Sequence, residues 1–122
     1  MAIAFSNEIE IRIIVDCPCT EAIFESLQKL IAQEYIIPER FNKATLCYNA
    51  FNGNGIPGTE QFYPLKFLSP YKSVWVSNVT SGFNDEGAQT TIAALKLMGF
   101  QLTKEEEHKI INDKKLDVTF TK

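Results

Sequence analysis

Glu8 to Asp16 reads EIEIRIIVD, and this stretch decides more about the fold than any other in the 122-residue chain. Ile9, Ile11, Ile13 and Val15 alternate with Glu8, Glu10, Arg12, Ile14 and Asp16, which is the period-two pattern of a strand with one buried face. Cys-Pro-Cys at 17 to 19 interrupts it. Thr20 is placed to cap a helix, and Glu21 suits that helix's positive end. Ile23, Phe24, Leu27, Leu30 and Ile31 then recur at helical spacing. Pro38 predicts a helix end by about Ile36, because the residue before proline is pushed out of the helical region.

Further along the chain, Thr45 to Phe51 is expected as a second strand, and Asn52 to Gly58 (NGNGIPG) as loop. Residues 62 to 71 (FYPLKFLSPY) carry Pro64 and Pro70, so any strand there is expected to be short or at an edge. Tyr71 to Thr80 is the third strand. A helix capped by Asn84 or Asp85 follows, with Ala88, Ile92, Leu95 and Met98 as its buried stripe and Gly99 at its end. Thr103 and Glu106 form a capping box that opens a short helix to about Asn112, and Leu116, Val118 and Phe120 alternate in a last strand.

The predicted order is strand, helix, strand, strand, helix, strand. This is the split βαβ order of an α+β ferredoxin-like sandwich, mostly antiparallel, with helices on one face and a long loop inserted between strands 2 and 3. Ile9 to Val15 is expected as a central strand. The length fits a single domain over residues 1 to 122, large enough to bury a core without staples.

Charge and cysteine usage bear on context. A net charge of −3 argues against gripping duplex DNA, which needs a basic face. The charges are unevenly spread. Residues 1 to 39 hold seven acids and two bases, whereas residues 40 to 83 hold Arg40, Lys43, Lys66 and Lys72 against Glu60 alone. Cys17, Cys19 and Cys47 are an odd number, which favours a reducing compartment. MAIAFSNEIE lacks the basic start of a secretory signal, and no apolar run is long enough to span a membrane, so a cytoplasmic protein is expected.

Chemistry-bearing motifs are sparse. Three cysteines and His108 are one ligand set for zinc, but only Cys17 and Cys19 are close in sequence and their one-residue spacer is shorter than a zinc knuckle's. The same spacer strains a Cys17–Cys19 disulfide. No metal, no cofactor and no obligatory disulfide are expected. One histidine leaves acid–base or nucleophilic catalysis without a second partner, and neither Asn52 to Gly58 nor Thr80 to Gly87 has the residues of a phosphate-binding loop. No catalytic residue is assigned, and the chain is not expected to be an enzyme.

The unusual feature is aromatic. Phe41, Tyr48, Phe51, Phe62, Tyr63, Phe67, Tyr71 and Trp75 place eight of 14 aromatics within 35 residues. Core packing explains most of these, and exposed loop aromatics are efficient anchors for a protein partner. The leading expectation is a protein-binding module. Its sharpest form is a bacterial immunity protein that neutralises a toxin, a nuclease above all, by occlusion. The expected contact residues are the acids Glu21, Glu25 and Asp85, converging on one edge of the sheet, with Phe62, Tyr63 and Tyr71 as aromatic anchors. A ligand sensor or enzyme of ferredoxin-like fold, dimeric in form, is the alternative, and an RNA-binding accessory protein is the third class.

Overall fold

In the computed structural model, residues 11–48, 63–77, 79, 82 and 86–122 are described. Their element order begins with β1 (Ile11–Val15), α1 (Thr20–Ala32), a 3-10 turn (Pro38–Arg40), β2 (Lys43–Leu46), β3 (Leu65–Leu68) and β4 (Lys72–Val76). It continues with α2 (Glu86–Leu97), α3 (Lys104–Asn112) and β5 (Val118–Thr121). The strands form one mixed sheet in the order β1-β4-β3-β2-β5. β1 runs parallel to β4, and the other three pairings are antiparallel.

The sheet's register explains the alternation in the sequence. Ile13 lies beside Val74, Val74 beside Phe67, Phe67 beside Ala44 and Ala44 beside Phe120. One step along, Val15, Val76, Leu65, Leu46 and Val118 form a second row on the same face. Ile23 and Leu27 of α1, Ala88, Ile92 and Leu95 of α2, and Ile110 of α3 join these rows in one apolar cluster. The helices therefore cover one face of the sheet, where burial of their apolar stripes supplies the main stabilisation.

Three expectations about topology change. The sheet lacks the ferredoxin-like order, because among the described residues β1 is the terminal strand and not a central one. Alternation reports that one face is buried, and a strand at the end of a sheet satisfies it as well as a central strand does. The strand in the stretch 62 to 71 is short, at four residues, which is one of the two forms expected, but it lies inside the sheet, between β2 and β4, and not at an edge. Its prolines are tolerated because Pro64 and Pro70 flank β3 without entering its paired register. Finally, β2 is Lys43–Leu46, earlier than the expected Thr45 to Phe51, and residues 49 to 51 lie outside the described residues.

Helix ends follow local chemistry except at the start of α1, where Cys19 and not the expected Thr20 is the N-cap and makes no side-chain capping hydrogen bond. Thr103 Oγ1 accepts from Glu106 N at 3.1 Å and Glu106 Oε1 accepts from Thr103 N at 2.9 Å, so the capping box forms as predicted. At the end of α2, Phe100 N donates to Leu95 O and Gly99 N to Lys96 O, with Gly99 at φ 90°, the Schellman pattern. α1 ends the same way. Tyr35 N donates to Leu30 O and Glu34 N to Ile31 O, with Glu34 at φ 64°. The helix thus stops at Ala32, four residues before the end that Pro38 predicted, because the left-handed turn at Glu34 satisfies the last carbonyls first.

Candidate functional site

α1 and α2 pack against each other on the covered face of the sheet. Their outer surfaces form a shallow, open groove of about 870 Å³. Glu21, Phe24, Glu25 and Gln28 line it from α1, and Glu86, Gln89, Thr90 and Ala93 line it from α2. Each set follows i, i+3, i+4, i+7 spacing, so each is one continuous face of its helix. The stripes Ile23–Leu27 and Ala88–Ile92–Leu95 turn inward, which leaves these faces outward.

The groove has an apolar floor and an acidic rim. Phe24 is half-buried and Ala93 partly covered, whereas Glu21, Glu25 and Glu86 are exposed. Among the described residues none of the three carboxylates has an ion-pair partner; the described pairs are Lys96–Glu107 at 3.1 Å and Lys109–Glu105 at 3.8 Å. Glu21 and Glu86 stand in the first turns of α1 and α2, where the helix dipole favours negative charge. Backbone electrostatics therefore favour two of the three like charges around the apolar trough, Glu21 and Glu86.

Of the predicted contact residues, the structure brings Glu21 and Glu25 into this groove. Asp85 and Phe62 lie outside the described residues. Tyr71 is well exposed, at 73%, but belongs to a different cavity of about 360 Å³ with Arg40, Asn42 and Lys72. It precedes the end of β4 that pairs with Ile11, whereas α1 begins beyond the opposite end of β1, past Val15. Five residues of strand, roughly 16 Å, separate the two ends, so acids and Tyr71 do not converge on one edge.

Tyr63 is a correction. It is 4% exposed and packs edge-on against Trp75, ring centroids 6.0 Å apart and planes at 80°. A side chain already buried in the free protein has no surface left to contribute as an anchor. Burial first, and the Asp16 carboxylate second, push its phenol above the ordinary tyrosine range.

The face of the sheet opposite the helices is built around Trp75. Its indole N–H donates to Ser73 Oγ at 2.7 Å, Lys66 Nζ lies 4.1 Å from the ring centroid, and the Arg12 guanidinium carbon 5.6 Å. Trp75 is only 2% exposed, and Phe41, Tyr63 and Phe67 are buried with it, whereas Tyr48 and Tyr71 are exposed, so Trp75 itself is packed, with cations on its ring, and is not an open platform for stacking bases.

Other reactive groups are dispersed. Cys17 Sγ is 3.3 Å from Ser26 Oγ, Cys19 is exposed at the N-cap of α1, and Cys47 is buried after β2. Burial, then the Asp117 charge, raise the Cys47 thiol above its ordinary range, and Lys66 partly offsets them. His108 is exposed on α3, its Nδ1 3.2 Å from Asn112 Nδ2. Among the described residues no group of three or more His, Cys, Asp or Glu is arranged to hold a metal ion, and no helix is long and apolar enough to cross a membrane.

Glu86 was not among the expected contact residues, and Phe24 was grouped with Ile23, Leu27, Leu30 and Ile31 on one helical face. The missing signal was shared phase. Glu86, Gln89, Thr90 and Ala93 repeat on α2 the spacing of Glu21, Phe24, Glu25 and Gln28 on α1, but only the packing of the two helices makes one surface of them. In comparisons with known proteins, the chain matches no family model, no curated protein and no solved structure.

Proposed function

We propose that this protein is a binding module whose α1–α2 groove receives a cationic segment of a protein partner, and that it acts as an immunity protein neutralising a basic toxin such as a nuclease. One observation carries the reading. Glu21, Glu25 and Glu86 surround an apolar trough with no ion-pair partner among the described residues. A partner with lysines or arginines flanking an apolar residue would meet charge at the rim and bury its side chain against Phe24 and Ala93. Enzymes that cleave nucleic acid carry cationic surfaces for phosphate, which makes them a chemically complementary class. Neutralisation by occlusion needs only a stable surface and no reacting group.

The test compares two baits in native lysate, the wild-type chain and a Glu21→Lys/Glu25→Lys/Glu86→Lys variant of equal thermal stability. The expected result is a cationic protein retained by the wild type, released by salt and lost from the variant, whose catalytic activity the wild-type chain then inhibits at one-to-one stoichiometry. Equal retention by both baits, or a captured enzyme left fully active, overturns the proposal.

A further inference from the structure

Among the described residues the two ends of the sheet, β1 and β5, are unlike. β5 is four residues long, with exposed Thr119 and Thr121 and Lys122 directly after it, the short polar form that discourages edge pairing. β1 reads Ile-Arg-Ile-Ile-Val. Ile11 and Ile14 are exposed at 54% and 45%, and among the described residues they are the only aliphatic side chains of that size so exposed. No proline or lysine interrupts the strand. Ile11 N donates to Tyr71 O and Val15 O accepts from Ser77 N, both at 2.9 Å, so odd-numbered residues turn their peptide groups toward β4. In a parallel ladder the alternate residue Ile14 then turns its N–H and C=O outward.

We infer that β1 pairs antiparallel with β1 of a second copy of this chain, in the register that sets Ile14 opposite Ile14. This register is self-complementary in charge. It places Arg12 opposite Asp16 of the second copy and, by symmetry, Asp16 opposite its Arg12. Both side chains belong to the same face of the sheet, since Arg12 aligns with Ser73 and Asp16 accepts a hydrogen bond from Ser77 Oγ at 2.8 Å. The competing registers lose this match. A register centred on Arg12 or on Asp16 opposes like charges, and the two intermediate ones set Ile14 against Arg12 or against Asp16. Only outward-facing residues exchange hydrogen bonds across such an edge, which excludes the odd registers.

Five residues of strand fall short of the roughly 1,200 Å² that stable association needs. Beside β1, however, a groove of about 340 Å³ is formed by Ile14, Cys17, Ser26, Lys29, Leu30 and Gln33. It extends the contact onto α1, which the two-fold axis, normal to a continuous sheet, brings to the same side as its counterpart. This inference is independent of the α1–α2 groove and of any toxin.

The experiment is sedimentation velocity with native mass spectrometry on the full chain from about 1 to 500 µM, alongside hydrogen exchange at the Ile14 amide. Wild type is expected to dimerise within that range, with Ile14 exchange slowing as concentration rises. Arg12→Asp and Asp16→Arg should each weaken the dimer at least tenfold, because each sets like charges opposite one another. The double swap should restore affinity to within about threefold of wild type. Ile14→Lys, at an exposed position that tolerates charge, should give a folded monomer. A wild type that stays monomeric to 500 µM overturns the inference, as does a double swap no tighter than the singles or an Ile14→Lys dimer of unchanged affinity.

Discussion

Gly82 and Lys114 approach so closely that a Cβ built on Gly82 would lie 2.3 Å from both Lys114 Cα and Lys114 N. Gly82 also holds φ 85° and donates its N–H to Ile110 O at 2.7 Å. This contact ties the segment after β4 to the end of α3, where no side chain fits. Gly82→Ala must both enter the left-handed region and push backbone away, so it should cost about 3 kcal/mol or more, or prevent folding. Urea unfolding of the variant checks it, and a loss under 1 kcal/mol would show that the two backbones can separate.

Trp75 depends on a two-residue hydrogen bond. Ser73 is fully buried, and its hydroxyl accepts the indole N–H. Ser73→Ala keeps the volume nearly constant but leaves that N–H without its partner, at an expected cost of about 1–3 kcal/mol. Trp75→Phe should cost less in the Ser73→Ala background than in wild type, since there it also removes an unsatisfied donor. A double-mutant cycle read by chemical denaturation measures the coupling.

Glu34 sits at φ 64°, where glycine is preferred. Glu34→Gly should raise stability by about 0.5–1 kcal/mol, the relief of strain outweighing the added freedom of the unfolded chain. Thermal unfolding should show a gain of a few degrees.

Alkaline pH should destabilise the fold. Cys47 and Tyr63 both have raised folded-state pKa values. Their contribution is fully present below the unfolded values, near pH 9 for the thiol and pH 10 for the phenol. Above these the unfolded chain releases protons that the folded chain retains, so stability falls as pH rises through the folded values. Melting temperatures from pH 7 to 11 should decline less steeply above pH 10 in Tyr63→Phe than in wild type.

At the α1–α2 groove, reversing Glu21, Glu25 and Glu86 should slow partner association and flatten its salt dependence, because charge at a rim acts chiefly on the encounter rate. Phe24→Ala should instead speed dissociation, at about 2 kcal/mol if the ring is a binding hot spot. Tyr71→Ala, at the other end of β4, should change neither rate. Surface plasmon resonance with the captured partner separates the three outcomes, and a strong Tyr71→Ala effect would move the binding site.

Much of the secondary structure was legible because its causes are local. Alternation marked β1 and β5, helical spacing marked α1 and α2, and Thr103 with Glu106 announced the start of α3. These signals depend on residues within a turn or two of each other, so the chain carries them wherever it lies in space. What the amino-acid sequence could not determine was neighbourhood. Ile13 alternates identically at a sheet's centre or its end, and only the pairing among the described residues, with β4 on one side, puts it at the end. Pro64 and Pro70 announced a strand that is short or at an edge; β3 is short, beginning directly after Pro64 and ending two residues before Pro70, but pairing on both sides puts it inside the sheet. Tyr63 had the composition of an anchor until packing on Trp75 removed its surface. The acids Glu21, Glu25 and Glu86 lie up to 65 positions apart, and they share one rim because parallel β1 and β4 send two helices back along the same face. Contacts between distant residues are set by the burial of a common core, a property of the whole chain that no local pattern encodes.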